Sequence, residues 1–166
     1  MISKSEIKFL KSLNILKFRN KHNMFKVEGW KSLKEFLKSD YKLVSIFSTR
    51  DFVNDNHFFS DSTKIISKKE LKSVSSLKAP NDIIGIFEKK ESTFHCIKSG
   101  ITLFLEDVTN PGNLGAIIRT ADWFGIKNII CSNKSVDLYN PKVVQASMGS
   151  LCRVFVSYVD IESFII

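Results

Sequence analysis

Residues 101–131 constrain this chain more than any other stretch. Ile101-Thr102-Leu103-Phe104-Leu105 is an apolar run of strand length, the pattern of a strand covered on both faces, as in a parallel sheet. A polar loop follows from Glu106 to Asn113, then a helical pattern from about Leu114 to Phe124, stopped by Gly125, the residue that most readily takes the left-handed turn at a helix end. Asn128-Ile129-Ile130-Cys131 is the next strand. Together these make one βαβ unit of about thirty residues, and they place the chain in the α/β class.

The residues upstream alternate in the same way. Ser3 and Glu6 form a capping box ahead of an apolar stripe at Ile7, Leu10, Leu13 and Leu16, with Lys4, Lys8, Lys11 and Lys17 on other faces. Phe25 to Val27 reads as a strand ended by Gly29, and Trp30 to Leu37 as a helix. Leu43 to Phe47 and Lys64 to Ile66 read as strands, Lys68 to Leu77 as a helix and Ile83 to Phe87 as a closing strand. Residues 88–100 are polar and end in Ser99-Gly100, which sets a boundary between a domain over 1–95 and a second over 96–166.

Charge changes near the same place. Residues 1–98 hold 20 Lys and Arg against 11 Asp and Glu, whereas residues 99–166 hold 5 against 6. A basic front on a neutral back suggests a region that handles a polyanion joined to one with another task. A general taste for lysine would not stop at residue 98. No apolar run approaches the ~18 residues that span a bilayer, and the first residues lack the apolar core of a signal peptide, so a cytoplasmic protein with no membrane partner is expected. Cys96, Cys131 and Cys152 stand far apart with no Cys-x-x-Cys pair, and the three histidines are scattered. Neither a disulfide framework nor a metal site is expected.

In a parallel sheet, ligands bind beyond the carboxyl ends of the strands, where the loop Glu106 to Gly115 falls. Gly112 and Gly115 would let backbone approach a ligand, Asn113 would cap the helix, and Arg119 would follow near the helix start. The loop is no dinucleotide fingerprint. Gly112-x-x-Gly115 lacks the Gly-x-Gly-x-x-Gly order, and Leu138 stands where no ribose-binding acid is evident. A well-capped surface turn would explain the glycines but not an arginine beside so polar a loop.

The run Asp107-Val108-Thr109-Asn110-Pro111-Gly112-Asn113-Leu114-Gly115-Ala116-Ile117-Ile118-Arg119-Thr120-Ala121-Asp122-Trp123-Phe124-Gly125 resembles the first signature motif of the SpoU (TrmH-like) RNA 2′-O-ribose methyltransferases of the SPOUT superfamily. Asp137 to Ser150 is similar to that family's next helix and its lead into a strand. Arg19-Asn20-Lys21-His22-Asn23-Met24-Phe25-Lys26-Val27-Glu28-Gly29 and Ala79 to Phe87 resemble the opening and the last strand of the small RNA-binding domain that precedes many SpoU catalytic domains.

The resemblance implies a small α/β RNA-binding domain, then the first half of a SPOUT-type parallel-sheet methyltransferase domain, knotted when complete. It implies S-adenosylmethionine as methyl donor and a ribose 2′-hydroxyl of rRNA or tRNA, rRNA first, as acceptor. It gives Arg119 a catalytic role with Asn113 as its orienting partner, and a homodimer when the chain is complete. Arg19, Lys21 and Lys26 are the expected RNA contacts, while Phe25 and Trp30 are read as core rather than base-stacking platforms. Two further family motifs, which build the cofactor pocket, have no counterpart after Ser150. The chain therefore reads as an incomplete enzyme, inactive alone, whose cofactor residues lie outside it. The rival expectation is an RNA-binding module without catalytic activity.

Overall fold

The structure, a computed structural model, describes residues 2–57, 63–90 and 100–160. It comprises two compact units, Met1–Lys89 and Lys90–Ile166. The expected boundary between residues 95 and 96 lies outside the described residues.

The first unit is built on a four-stranded mixed sheet. Its strands are β1 (Met24–Glu28), β2 (Leu43–Ser48), β3 (Thr63–Ile65) and β4 (Ile83–Glu88), in the order β1-β4-β2-β3. β4 runs antiparallel to β1 and β2, and β3 runs parallel to β2. The inner position of β4 explains its sequence: Ile83, Ile84, Ile86 and Phe87 are all fully buried, so its pattern is continuous rather than alternating. Helices α1 (Lys4–Ser12), α2 (Leu16–His22), α3 (Trp30–Leu37), α4 (Arg50–Asp55) and α5 (Lys68–Val74) surround the sheet. Phe25, Phe36, Tyr41 and Phe87 form an aromatic core with ring centroids 5.1–6.1 Å apart, which places Phe25 in the core as expected. Trp30 is half-buried, edge-on to Phe52 with Lys34 Nζ over its ring.

Three local details differ from the sequence pattern. The stripe from Ile7 to Leu16 is broken at Leu13, where α1 ends; Leu10 and Leu13 are buried but Leu16 is 46% exposed at the start of α2. α4 was not anticipated, although Thr49 caps it through Phe52 N. α5 stops at Val74 rather than Leu77 because Ser75 turns extended. The hydroxyls of Ser75 and Ser76 and the Ser76 amide then donate to the Glu28 carboxylate.

The second unit holds β5 (Thr102–Leu105), β6 (Asn128–Ser132) and β7 (Phe155–Val159), all parallel, in the order β5-β6-β7. α6 (Pro111–Trp123) connects β5 to β6, and α7 (Pro141–Ser147) with a short 3-10 turn (Ser150–Cys152) connects β6 to β7. This is the βαβ arrangement that the apolar runs predict. β5 nonetheless lies at one edge of the three strands. Ile101 and Phe104 are 66% and 39% exposed, so among the described residues β5 is not covered on both faces.

Candidate active site

The loop after β5 sits at the carboxyl end of the parallel sheet and is pinned from the neighbouring strand. Asp107 takes a left-handed backbone, φ 48°, uncommon for a residue with a side chain. Its amide donates to Ser132 Oγ at 2.9 Å, and Ser132 Oγ donates back to Asp107 Oδ1 at 2.8 Å. The Val108 amide donates to Ser135 Oγ at 3.2 Å, and the Val136 amide donates to the Val108 carbonyl at 2.9 Å. Ser132 and Ser135 are buried while Asp107 is exposed, so part-buried bonds from the sheet hold the loop in place. Sequence reasoning missed both serines. Their signal was positional, since they follow the apolar run of β6 and so reach the same end of the sheet.

α6 begins earlier than its apolar pattern suggests. Asn110 is the cap, its Oδ1 accepting from the Gly112 amide at 2.8 Å and the Asn113 amide at 3.2 Å, with Pro111 in the first helical position. That is the preferred place for proline, whose missing N–H would be unpaired there anyway. Asn113 is therefore inside the first turn rather than the cap. Gly115 does not face a ligand either. A β-carbon there would lie 2.5 Å from Ala146 Cβ, 2.8 Å from the Val143 carbonyl and 3.0 Å from the Ser147 amide, so its function is to let α6 and α7 touch.

Arg119 lies in the second half of α6, not near its start, and is exposed. Six residues separate it from Asn113, about 9 Å of rise and about 240° of rotation, so the two do not share a helix face. Asn113 makes no side-chain hydrogen bond among the described residues. The contact that Arg119 makes is with Met148, whose Sδ accepts from Arg119 Nη1 at 3.1 Å. The carboxylate one turn on, Asp122, is committed elsewhere. Arg153 grips it with Nε and Nη2, each at 2.8 Å, and Lys127 Nζ lies at 3.5 Å. Burial pushes the Asp122 carboxyl upward, but hydrogen bonds from Arg153 and Ser150 and the nearby cations outweigh it and hold the group below its ordinary range.

Arg119, Thr120, Asp122, Trp123, Phe124, Ser150 and Arg153 line an open groove of about 760 Å³. Trp123 and Phe124 are 85% and 73% exposed. Arg153 is paired with Asp122, so it is the guanidinium of Arg119, beside the exposed rings, that the groove offers to an anionic group. Among the described residues no group of three or more His, Cys, Asp or Glu side chains is arranged to hold a metal ion.

In the first unit, two of the three expected RNA contacts are corrected. Arg19 is 2% exposed and its Nη1 donates to the Leu13 carbonyl at 3.0 Å, tying α2 to the end of α1. Lys26 is also 2% exposed; its Nζ donates to the Val74 carbonyl at 2.6 Å and lies 3.4 Å from Glu28 Oε1. Burial depresses the Lys26 pKa, with Glu28 partly opposing it. β1 is an edge strand whose inward side points at α5, so a lysine in an apparent RNA motif became a strand-to-helix tie. Lys21 alone of the three is exposed.

Comparison with known proteins gives one consistent picture. Residues 100–165 match the SpoU rRNA Methylase family, and residues 4–85 match the MRM3-like substrate binding domain. The chain is 29% identical over 151 residues to rRNA methyltransferase 3, mitochondrial, of Xenopus laevis, covering 82% of this chain and 35% of that protein. It is 26% identical over 165 residues to the Bacillus subtilis 23S rRNA (guanosine(2553)-2′-O)-methyltransferase RlmP, covering 96% and 64%. Among solved structures, a TrmH-family protein from Porphyromonas gingivalis superposes with a TM-score of 0.85 at 35% identity, covering 96% of this chain and 63% of that one. An AdoMet-bound rRNA methyltransferase from Sinorhizobium meliloti gives 0.83 at 26%, covering 99% and 66%. The chain thus spans between about a third and two thirds of the length of these relatives.

Proposed function

The chain belongs to the SpoU family, and from that premise we propose that it is the front part of an enzyme that methylates a ribose 2′-hydroxyl of ribosomal RNA. The Bacillus subtilis relative is a 23S rRNA 2′-O-methyltransferase and the Sinorhizobium meliloti structure is AdoMet-bound, which supports S-adenosylmethionine as the donor of the methyl group. The cytoplasm is the proposed location.

The observation that carries the reading is the state of Arg119. It is exposed at the lip of the groove, and the nearest carboxylate on its helix is occupied by Arg153. Its charge is therefore available to a ligand. A guanidinium keeps its proton at neutral pH and is a poor base. Its task is electrostatic: it holds the developing 2′-alkoxide and an adjacent phosphate oxygen through charged, forked hydrogen bonds, and the proton leaves to another group. Asn113, whose side chain has no bond in α6, remains the proposed second polar contact for RNA or for a second copy rather than an orienting partner of Arg119. A homodimer is also proposed, because Trp123 and Phe124 are too exposed for a helix end that meets only water.

The test is methyl transfer from labelled S-adenosylmethionine to ribosomal RNA by the full-length gene product. Arg119→Ala is expected to lower kcat about 10²–10³-fold, the effect of removing one oxyanion donor, and Arg119→Lys to recover only part of it. Full activity in Arg119→Ala would refute the assignment.

A further inference from the structure

We infer that Met148 is the positioning residue for Arg119, a neutral acceptor that seats the guanidinium without cancelling its charge. The inference rests on the reading of Arg119 given above.

The geometry begins at Gly115. One helical turn separates Gly115 from Arg119, so both face α7. Gly115 removes the side chain that would hold the helices apart, bringing Val143, Ala146 and Ser147 against the α6 backbone. Arg119 then reaches past the end of α7, where Met148 presents its sulfur at 3.1 Å from Nη1. Met148 itself is in a left-handed conformation, φ 50°, ψ 36°, held by its amide donating to the Gln145 carbonyl at 3.2 Å. The next residue, Gly149, is also left-handed, φ 91°. Met148 is the C-cap of α7, and the left-handed turn that ends the helix sets the direction of its side chain. Met148 is 49% exposed, half packed against its neighbours and half open to solvent, where an arriving ligand can displace it.

The chemistry of sulfur explains the choice. A thioether is a weak acceptor with no charge. A carboxylate in its place would form a charged pair like that of Arg153 with Asp122 Oδ2 and would leave Arg119 neutralised. A sulfur contact orients the guanidinium yet yields to a phosphate or alkoxide oxygen, whose charged hydrogen bonds are stronger. The consequence is a pre-aimed cation that is released on substrate arrival.

Two measurements test this. In the chain labelled with ¹³C-methyl methionine, Arg119→Ala is expected to shift the Met148 methyl resonance; an unmoved resonance refutes the contact, whatever the enzyme's activity. In full-length methyl transfer, Met148→Leu is expected to lower kcat about threefold to tenfold, the worth of one net hydrogen bond, with KM for RNA unchanged. Met148→Gln restores a neutral acceptor and recovers most of the rate, whereas Met148→Glu falls below Met148→Leu. Wild-type kcat in Met148→Leu, or an active Met148→Glu, overturns the seat provided Arg119→Ala is inactive beside them. If Arg119→Ala is itself active, the reading of Arg119 fails, and the methyl shift alone decides whether Met148 holds it.

Discussion

Gly115→Ala is the sharpest perturbation of the second unit, because two effects of opposite sign meet there. Alanine gains about 0.8–1.0 kcal/mol of intrinsic helix preference over glycine. Against this, the new methyl carbon would sit 2.5 Å from Ala146 Cβ and 2.8 Å from the Val143 carbonyl oxygen, where carbon pairs ordinarily rest at about 3.5–4.0 Å. The two helices must part by about 1 Å, and overpacking of this kind costs about 1–3 kcal/mol. The packing term wins, with a net loss of about 1 kcal/mol in urea unfolding followed by circular dichroism. Gly112→Ala is the comparison. In the first turn it has less helix preference to gain, but its β-carbon would meet only Asn110 Oδ1, at 3.2 Å, so the change should cost clearly less than Gly115→Ala. Ala146→Gly removes the nearest clashing atom, so the double variant should show a favourable coupling of about 0.5–1 kcal/mol. Gly115→Ala as stable as Gly112→Ala, or no coupling with Ala146→Gly, would refute close helix contact as the reason for the glycine.

The other expectations concern the first unit. Glu28→Ala strips the buried Lys26 of its counter-charge and frees Ser75 and Ser76; the loss should be about 3–5 kcal/mol, and a loss under about 1 kcal/mol in chemical denaturation would contradict the tie. Glu6 is held down to about 2 by the Lys64 ammonium and by Ser3. A depressed carboxyl contributes stability above its unfolded value near 4.5 that is lost as pH falls through its folded value. The stability difference between wild type and Glu6→Gln should therefore be constant at neutral pH and vanish towards pH 2; a difference unchanged across that window would count against the pair. For RNA binding, Lys21→Ala should weaken affinity and lower the salt slope by about 1. Arg19→Met and Lys26→Met should lower stability before they change that slope, and the opposite ranking would restore the original assignment.

Much of the fold was legible in the order of residues because the signals are local. Ser3 and Glu6 announce a helix, since both partners of the capping box lie within four residues. Ile101 to Leu105, Gly125 and Asn128 to Cys131 announce a strand, a stop and a parallel strand, since period and length are properties of the chain itself. The motif from Asp107 to Gly125 carries the resemblance to the SpoU family, and with it the proposal for Arg119.

What only the tertiary structure decided is which neighbours those residues meet. Arg19 and Lys26 have the sequence of surface cations and became buried ties, because the carbonyls of Leu13 and Val74 and the carboxylate of Glu28 converge on them. Gly115 reads as room for a ligand and proved to be room for α7. Asn113, named as the partner of Arg119, faces another side of the helix, and the sulfur that meets Arg119 comes from 29 residues away. Burial and contact depend on the path of the whole chain, and no window of sequence contains that path. The residues set what each element is, while packing between elements sets what each side chain is for.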